Sequence, residues 1–160
     1  MRVVNRRFVS SDGRMAVEVS SSCFREMLTM VNAAKGDETG SVLIGHYSDD
    51  GHLAVVESTR PSPKGSVRLR SSFLRTATGL KTFFENLFAR SNGKRYYIGE
   101  WHLHPNSSVE PSPTDDATMS SISSDQNKNG MISIILGGVP DKRLLIGVYV
   151  YHGSTRTVLR

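Results

Sequence analysis

The segment Tyr-Tyr-Ile-Gly-Glu-Trp-His-Leu-His, residues 96–104, constrains the fold more than any other stretch of the chain. It is β-like, and successive side chains of a strand point to opposite faces. Trp101 and Leu103 then share one face, while Glu100, His102 and His104 share the other. A sheet has to bury the first face under a core and leave two imidazoles and a carboxylate on the second. Seven residues after His104 comes Ser112-Pro113-Thr114-Asp115. A serine cap, a proline at the first helical position and an acid three residues after the cap form a capping box. Alone, that segment is structural. Next to the strand, a capped helix start also holds Asp115 rigidly beside the histidines. Two imidazoles and a carboxylate with one position open to water are the ligand set of a catalytic zinc, whereas structural zinc sites close all four positions. Asp116 points about 100° away around the helix and is the weaker ligand candidate.

The rest of the pattern supplies a sheet and helices. Residues 2–9 and 14–19 read as strands joined by Ser10-Ser11-Asp12-Gly13. Ser20, Ser21 or Ser22 caps a helix with Phe24, Met27, Leu28 and Val31 at i, i+3, i+4 and i+7, and Gly36 stops it. Residues 41–47 and 52–57 read as a hairpin around Asp49-Asp50-Gly51. A loop over 61–66 and a short strand over 67–70 precede a long helix capped by Ser71 or Ser72. Its buried face is Phe73, Leu80, Phe83, Phe84, Leu87 and Phe88, and Ser91-Asn92-Gly93 ends it. Pro113 opens a third helix, modestly apolar through Ala117, Met119 and Ile122. After a turn at 127–130, residues 132–136 and 144–151 read as strands flanking Pro140-Asp141-Lys142. The expectation is an α+β fold, one domain over residues 1–160, with a mixed β-sheet and helices packed against it.

Composition narrows the function classes. At 160 residues the chain can bury a real core, and 38% hydrophobic with 22% charged residues is ordinary for a soluble globular protein. No apolar run approaches a membrane span and the N-terminus has no signal-like stretch, so a cytoplasmic location is the default expectation and no membrane partner is expected. The single cysteine, Cys23, excludes an intramolecular disulfide and a multi-cysteine zinc site, and reads as a small buried hydrophobe. The absence of Pro-Cys-x-x-Cys argues against a zinc nucleobase deaminase. The net charge of +5 comes from scattered arginines and lysines without a run or an interleaved aromatic motif. That is a solvated surface more than a patch for an acidic protein, and nucleic acid is not an expected partner. His46, His52 and His152 have no paired partner in the sequence and read as surface or core residues.

A water activated at the metal needs a base that takes its proton and passes it to the leaving amine. Glu100, on the histidine face, is one candidate. Glu38 is another, in Glu38-Thr39-Gly40-Ser41-Val42-Leu43-Ile44-Gly45, where glycines let the backbone run close to a site. The residues themselves leave both open, and Glu100 can equally orient a ligand histidine or pair with a nearby base.

The spacing His-x-His-x7-Ser-x2-Asp, with Glu38 upstream in an E-T-G strand start, resembles the JAMM (MPN+/JAB) metalloprotease family, and residues 97–105 with 111–115 look like its small prokaryotic group. The resemblance runs from about Glu38 to Val150. It implies that His102, His104 and Asp115 ligate Zn2+, that Glu38 is the general base, and that Ser112 helps stabilise the tetrahedral oxyanion. Glu100 then supports or orients its neighbours. Two positions depart from the family pattern. Leu103 replaces the usual Ser or Thr but faces away from the ligands, and Ser41 replaces a common second Gly after Glu38, which bears on rate more than on fold. All five catalytic positions are intact, unlike in metal-free scaffold members.

The family cleaves peptide or isopeptide bonds after the C-terminus of ubiquitin or ubiquitin-like tails, bound extended beside the site. The basic segment 64–70 is a candidate wall for such a tail. Small bacterial relatives occur in antiphage operons, where they remove a conjugated cGAS/DncV-like nucleotidyltransferase from its target, and the length and motif style of this chain suit that type best. The resemblance leaves two alternatives: a peptidase that matures a sulfur-carrier protein, and a non-catalytic MPN binding module.

Overall fold

The computed structural model describes residues 4–62, 66–68, 73–74, 79–126, 129–139 and 143–160. Strand β1 (Arg6–Val9) turns into β2 (Ala16–Val19). Asp12 closes that turn by accepting from the Ser10 hydroxyl at 2.7 Å and the Arg14 N–H at 3.0 Å. Helix α1 (Ser21–Ala34) is capped by Ser20, whose Oγ accepts the Cys23 N–H at 3.1 Å. Cys23, Phe24 and Met27 are buried as the spacing requires, while Leu28 sits at the margin, 37% exposed. The helix ends at Lys35 in the left-handed region, one residue before Gly36. Strands β3 (Gly40–Tyr47) and β4 (Leu53–Thr59) form the expected hairpin.

The next stretch corrects the expected long helix. Phe73 lies not in a helix but in β6 (Phe73–Leu74), which pairs with β5 (Val67–Arg68). Helix α2 (Leu80–Arg90) starts only after Gly79, whose φ of 73° breaks the chain direction between strand and helix. The proposed caps Ser71 and Ser72, most of the basic segment 64–70, part of the turn at 127–130 and the whole of 140–142 lie outside the described residues.

Strand β7 (Tyr96–Leu103), helix α3 (Pro113–Gln126), β8 (Met131–Val139) and β9 (Arg143–His152) follow as expected, and β10 (Thr155–Leu159) adds a strand that the pattern did not reveal. The main sheet is mixed, in the order β1-β2-β4-β3-β7-β8-β9-β10, with β2–β4 and β7–β8 parallel and the other pairs antiparallel. Its two ends meet: Ser10 bridges Leu159, and Val9 and Arg160 exchange backbone hydrogen bonds at 2.9 and 3.0 Å.

One face of the sheet closes over Val17, Val19, Leu43, Trp101, Leu103, Ile132, Ile134, Val148 and Val150, together with Cys23, Phe24 and Met27 of α1. On the other face, Met119 of α3 packs with Met131, Ile135, Tyr149 and Tyr151. Neighbouring residues of β8 and β9 thus enter different clusters. Burial on both faces explains why these strands read as apolar runs without alternation. Trp101 and Leu103 are buried and His102 half-buried, so β7 separates its faces as the sequence required.

Candidate metal centre

The site is built where β7 ends, between the start of β3 and the start of α3. Antiparallel pairing sets Gly40 opposite His102, and the Leu103 N–H donates to the Thr39 carbonyl at 2.8 Å. A Cβ on Gly40 would stand 2.3 Å from the Trp101 carbonyl oxygen and 2.9 Å from the His102 Cβ, so this close approach requires glycine. Glu38 stands two residues before Gly40, on the approach to the same end of β7.

The loop after His104 is seated rather than loose. The His104 N–H donates to the Leu136 carbonyl at 2.7 Å and the Gly138 N–H to the Ser107 carbonyl at 2.8 Å. The Tyr149 hydroxyl donates to the Val109 carbonyl at 2.7 Å. The capping box then forms as read: Ser112 Oγ accepts the Asp115 N–H at 3.1 Å, and Asp115 Oδ2 accepts the Ser112 N–H at 2.8 Å. Asp116 turns away, accepting from the Tyr151 hydroxyl at 2.6 Å and from Arg156 Nη1 at 2.7 and 2.9 Å.

His102, His104 and Asp115 converge. The two histidine Nε2 atoms lie 2.9 Å apart, and Asp115 Oδ2 is 3.4 Å from His102 Nε2 and 3.2 Å from His104 Nε2. Among the described residues this trio, with one ligand atom from each within 4.8 Å of the others, is the group of His, Cys, Asp and Glu able to hold a metal ion. All three side chains are mostly buried, 15 to 19% exposed. The Ser108 carbonyl lies 3.0 Å from His104 Nδ1. A carbonyl only accepts, so His104 Nδ1 carries a proton toward Ser108 and Nε2 is the ring atom turned to Asp115 and His102.

Electrostatics agree with that use. Burial would raise the Asp115 carboxyl, but the two imidazoles and the Ser112 N–H outweigh it and hold it well below the usual carboxylate range. The Asp115 contact raises His104, against burial and with help from the Ser108 carbonyl. Glu38 is half-buried and its carboxyl is raised, by burial first, with His102 and His104 pulling it down and Asp115 adding to the rise. Those three influences place Glu38 within reach of the trio's field. Glu100 instead accepts the Tyr97 hydroxyl at 2.7 Å. His46 and His52 stand apart, next to Glu57 and Asp50 at 3.4 and 3.9 Å.

Three features of the site escaped the sequence reading. The β3–β7 register shifts between Leu43 and Ile44, so Ile98 is skipped and Tyr97 reaches the face of Glu100. The Ser108 carbonyl behind His104 carries no side-chain signal. The seat of the loop depends on glycine at 137, where a Cβ would stand 2.7 Å from the Ser107 carbonyl oxygen.

Comparison with known proteins accords with this geometry. Residues 20–146 match the family described as prokaryotic homologs of the JAB domain. The chain is 35% identical over 142 residues to the "CD-NTase/cGAS isopeptidase" of Enterobacter hormaechei subsp. hoffmannii, covering 88% of this chain and 77% of that one. It is 31% identical over 110 residues to "Probable metalloprotease y4qB" of Sinorhizobium fredii, covering 67% and 66% of the two chains. The solution structure of protein DSY2949 from Desulfitobacterium hafniense shares the fold, with a TM-score of 0.60 at 17% identity over 88% of this chain and 87% of that one.

Proposed function

The chain belongs to the prokaryotic JAB-domain family, and from that premise we propose that it is a zinc-dependent isopeptidase acting after the C-terminus of a ubiquitin-like protein joined to another protein. The observation that carries the reading is the convergence of His102, His104 and Asp115 with Glu38 beside them.

The donor set fits zinc. Tetrahedral bonds of about 2.0–2.1 Å put ligand atoms about 3.3 Å apart, and the three separations here are 2.9, 3.2 and 3.4 Å. Asp115 is held ionised, and His104 turns Nε2 toward it, so a bound cation takes the place of the proton shared there. When bound, zinc supplies Lewis acidity and makes water a nucleophile near neutral pH.

The chain's own residues do the rest. Glu38, with its raised carboxyl, takes the proton of the attacking water and returns it to the leaving amine. Ser112 Oγ accepts the Asp115 N–H, which leaves the serine's own hydrogen to donate to the oxyanion formed on the substrate carbonyl. An α-linked and an ε-linked amide present the same carbonyl once the acyl side is held, so selection rests on the tail. The relatives named CD-NTase/cGAS isopeptidase support a conjugated cGAS/DncV-like nucleotidyltransferase as the substrate, and hence a role in antiphage defence.

The test is incubation of zinc-loaded protein with a lysine-linked conjugate and with a linear fusion to the cognate ubiquitin-like partner. Release at the terminal glycine, abolished by a chelator, is the expected result. Intact substrates with demonstrably zinc-loaded protein would leave the chain a binding module.

A further inference from the structure

A guanidinium with two buried N–H groups that no described residue accepts from lies on the same face of the sheet as the candidate metal centre. Arg60 follows Thr59, the last residue of β4, and its Cζ sits 3.8 Å from the centre of the Phe83 ring on α2. Its Nε and Nη1 are buried and, among the described residues, have no hydrogen-bond partner. A guanidinium stays charged and has only donors to offer, so buried N–H groups without an acceptor are costly and call for one. Stacking on the ring fixes the plane of the group and directs its N–H edge sideways.

The register relates Arg60 to the site. Thr59 pairs with Leu43, so the next residue, Arg60, stands beside Val42, which pairs with Glu100. Two residues further, Ser62 Oγ donates to the Gly40 carbonyl at 2.7 Å, and Gly40 pairs with His102. Residues directly across a sheet point to the same face. Arg60 and His102 therefore share a face, and Gly40, without a side chain, lies between them. With strands about 4.8 Å apart and a rise of about 3.4 Å per residue, the two backbones are about 12 Å apart, the span of three to four extended residues. Glu38 precedes Gly40 in the chain, so at the start of β3 it approaches from the side of His102 away from Arg60. Glu38 delivers its proton to the leaving amine, so that amine points toward Glu38 and the acyl chain runs the opposite way, toward the row of Arg60.

We propose that Arg60 receives an oxygen acceptor, a main-chain carbonyl or a carboxylate, from the acyl side of an extended substrate three to four residues before the cleaved bond. This rests on the peptidase reading above and adds the residue that sets where the tail lies.

The test follows the Arg60 Nε signal in zinc-loaded protein with 15N-labelled arginine, assigned by its loss in Arg60→Gln. The probes are a six-residue peptide ending in two glycines with glutamate fourth from its C-terminus, and the same peptide with alanine there. Movement with both peptides identifies a carbonyl acceptor, and movement with the glutamate peptide alone a carboxylate. No movement with either at millimolar concentration overturns the proposal, whether or not the enzyme cleaves. On a conjugate that the native protein cleaves, Arg60→Gln is expected to raise KM about tenfold or more with kcat within about twofold, the pattern of lost substrate binding. An unchanged KM also overturns it. If the native protein cleaves nothing but the signal moves, the peptidase reading falls and the acceptor site stands.

Discussion

At the scale of single residues, the proposed function divides the work between two carboxylates near the histidines. Glu38 is half-buried, feels both imidazoles and has a carboxyl raised by burial, the direction that suits a base. Glu100 accepts the Tyr97 hydroxyl, and Tyr97 in turn rests against Phe84 of α2, with ring centres 5.2 Å apart. Glu38→Gln is therefore expected to lower kcat by about 10²–10⁴-fold with zinc content and Tm unchanged, since the group moves protons and does not hold the metal. Glu100→Gln is expected to keep kcat within about tenfold, since its role is support. Steady-state rates with metal analysis of both variants check this, and an inactive Glu100→Gln beside a near-normal Glu38→Gln would reverse the roles. The sequence made both acids visible, through strand alternation at Glu100 and the glycine-flanked strand start at Glu38. It did not separate them without the family resemblance. In a regular strand Tyr97 and Glu100 would face opposite ways, and only the skipped residue at Ile98 brings them together.

Among the elements, α3 depends most on its first turn. Its apolar face is weak: Met119 is buried, Ile122 half-buried and Ala117 exposed. The Ser112–Asp115 box and the Asp116 contacts to Tyr151 and Arg156 anchor its start to the rest of the fold. Ser112→Ala is expected to cost about 1 kcal/mol of stability as a lost cap. It is also expected to weaken metal binding about tenfold, because Oγ no longer holds the Asp115 N–H and the main chain that presents this ligand loosens, although the Ser112 N–H to the carboxylate stays. Ser112→Thr keeps the hydroxyl and should restore both. Chelator competition and thermal denaturation read the two effects separately, and a lower Tm with unchanged metal affinity would show that the cap does not orient Asp115. This helix start was legible because its residues act within one turn. The start of α2 was not, because an apolar Phe73 suits a helix face and a β6 strand equally, and the choice is made by pairing with Arg68 and by the left-handed Gly79. Strand β10 was hidden for another reason. Thr155, Arg156 and Val158 are exposed, and Leu159 alone is buried, so no alternation marks it.

Across the whole molecule, the candidate metal centre joins two parts of the fold that already hold one another. Strand β7 lies inside the sheet, and α3 is fixed to β8 and β9 through Met119, Tyr149 and Tyr151. The sheet also meets itself through Ser10 and Leu159 and the Val9–Arg160 pair. A core of this kind does not need a metal in order to form, in contrast to a small zinc finger. Metal should then stabilise by linkage alone. A free concentration a hundredfold above Kd adds about 2.7 kcal/mol. For a chain of this size that corresponds to a rise in Tm of roughly 5–11 °C. The expectation is a metal-free protein that unfolds cooperatively, a Tm that climbs with zinc concentration, and a His102→Ala/His104→Ala variant that folds but does not respond. Scanning calorimetry across a zinc titration of both proteins decides the matter. A variant that rises as steeply as the native chain would remove the trio as the metal site. A native chain that melts without a transition until zinc is added would mean that the closed sheet and α3 cannot hold the site together unaided.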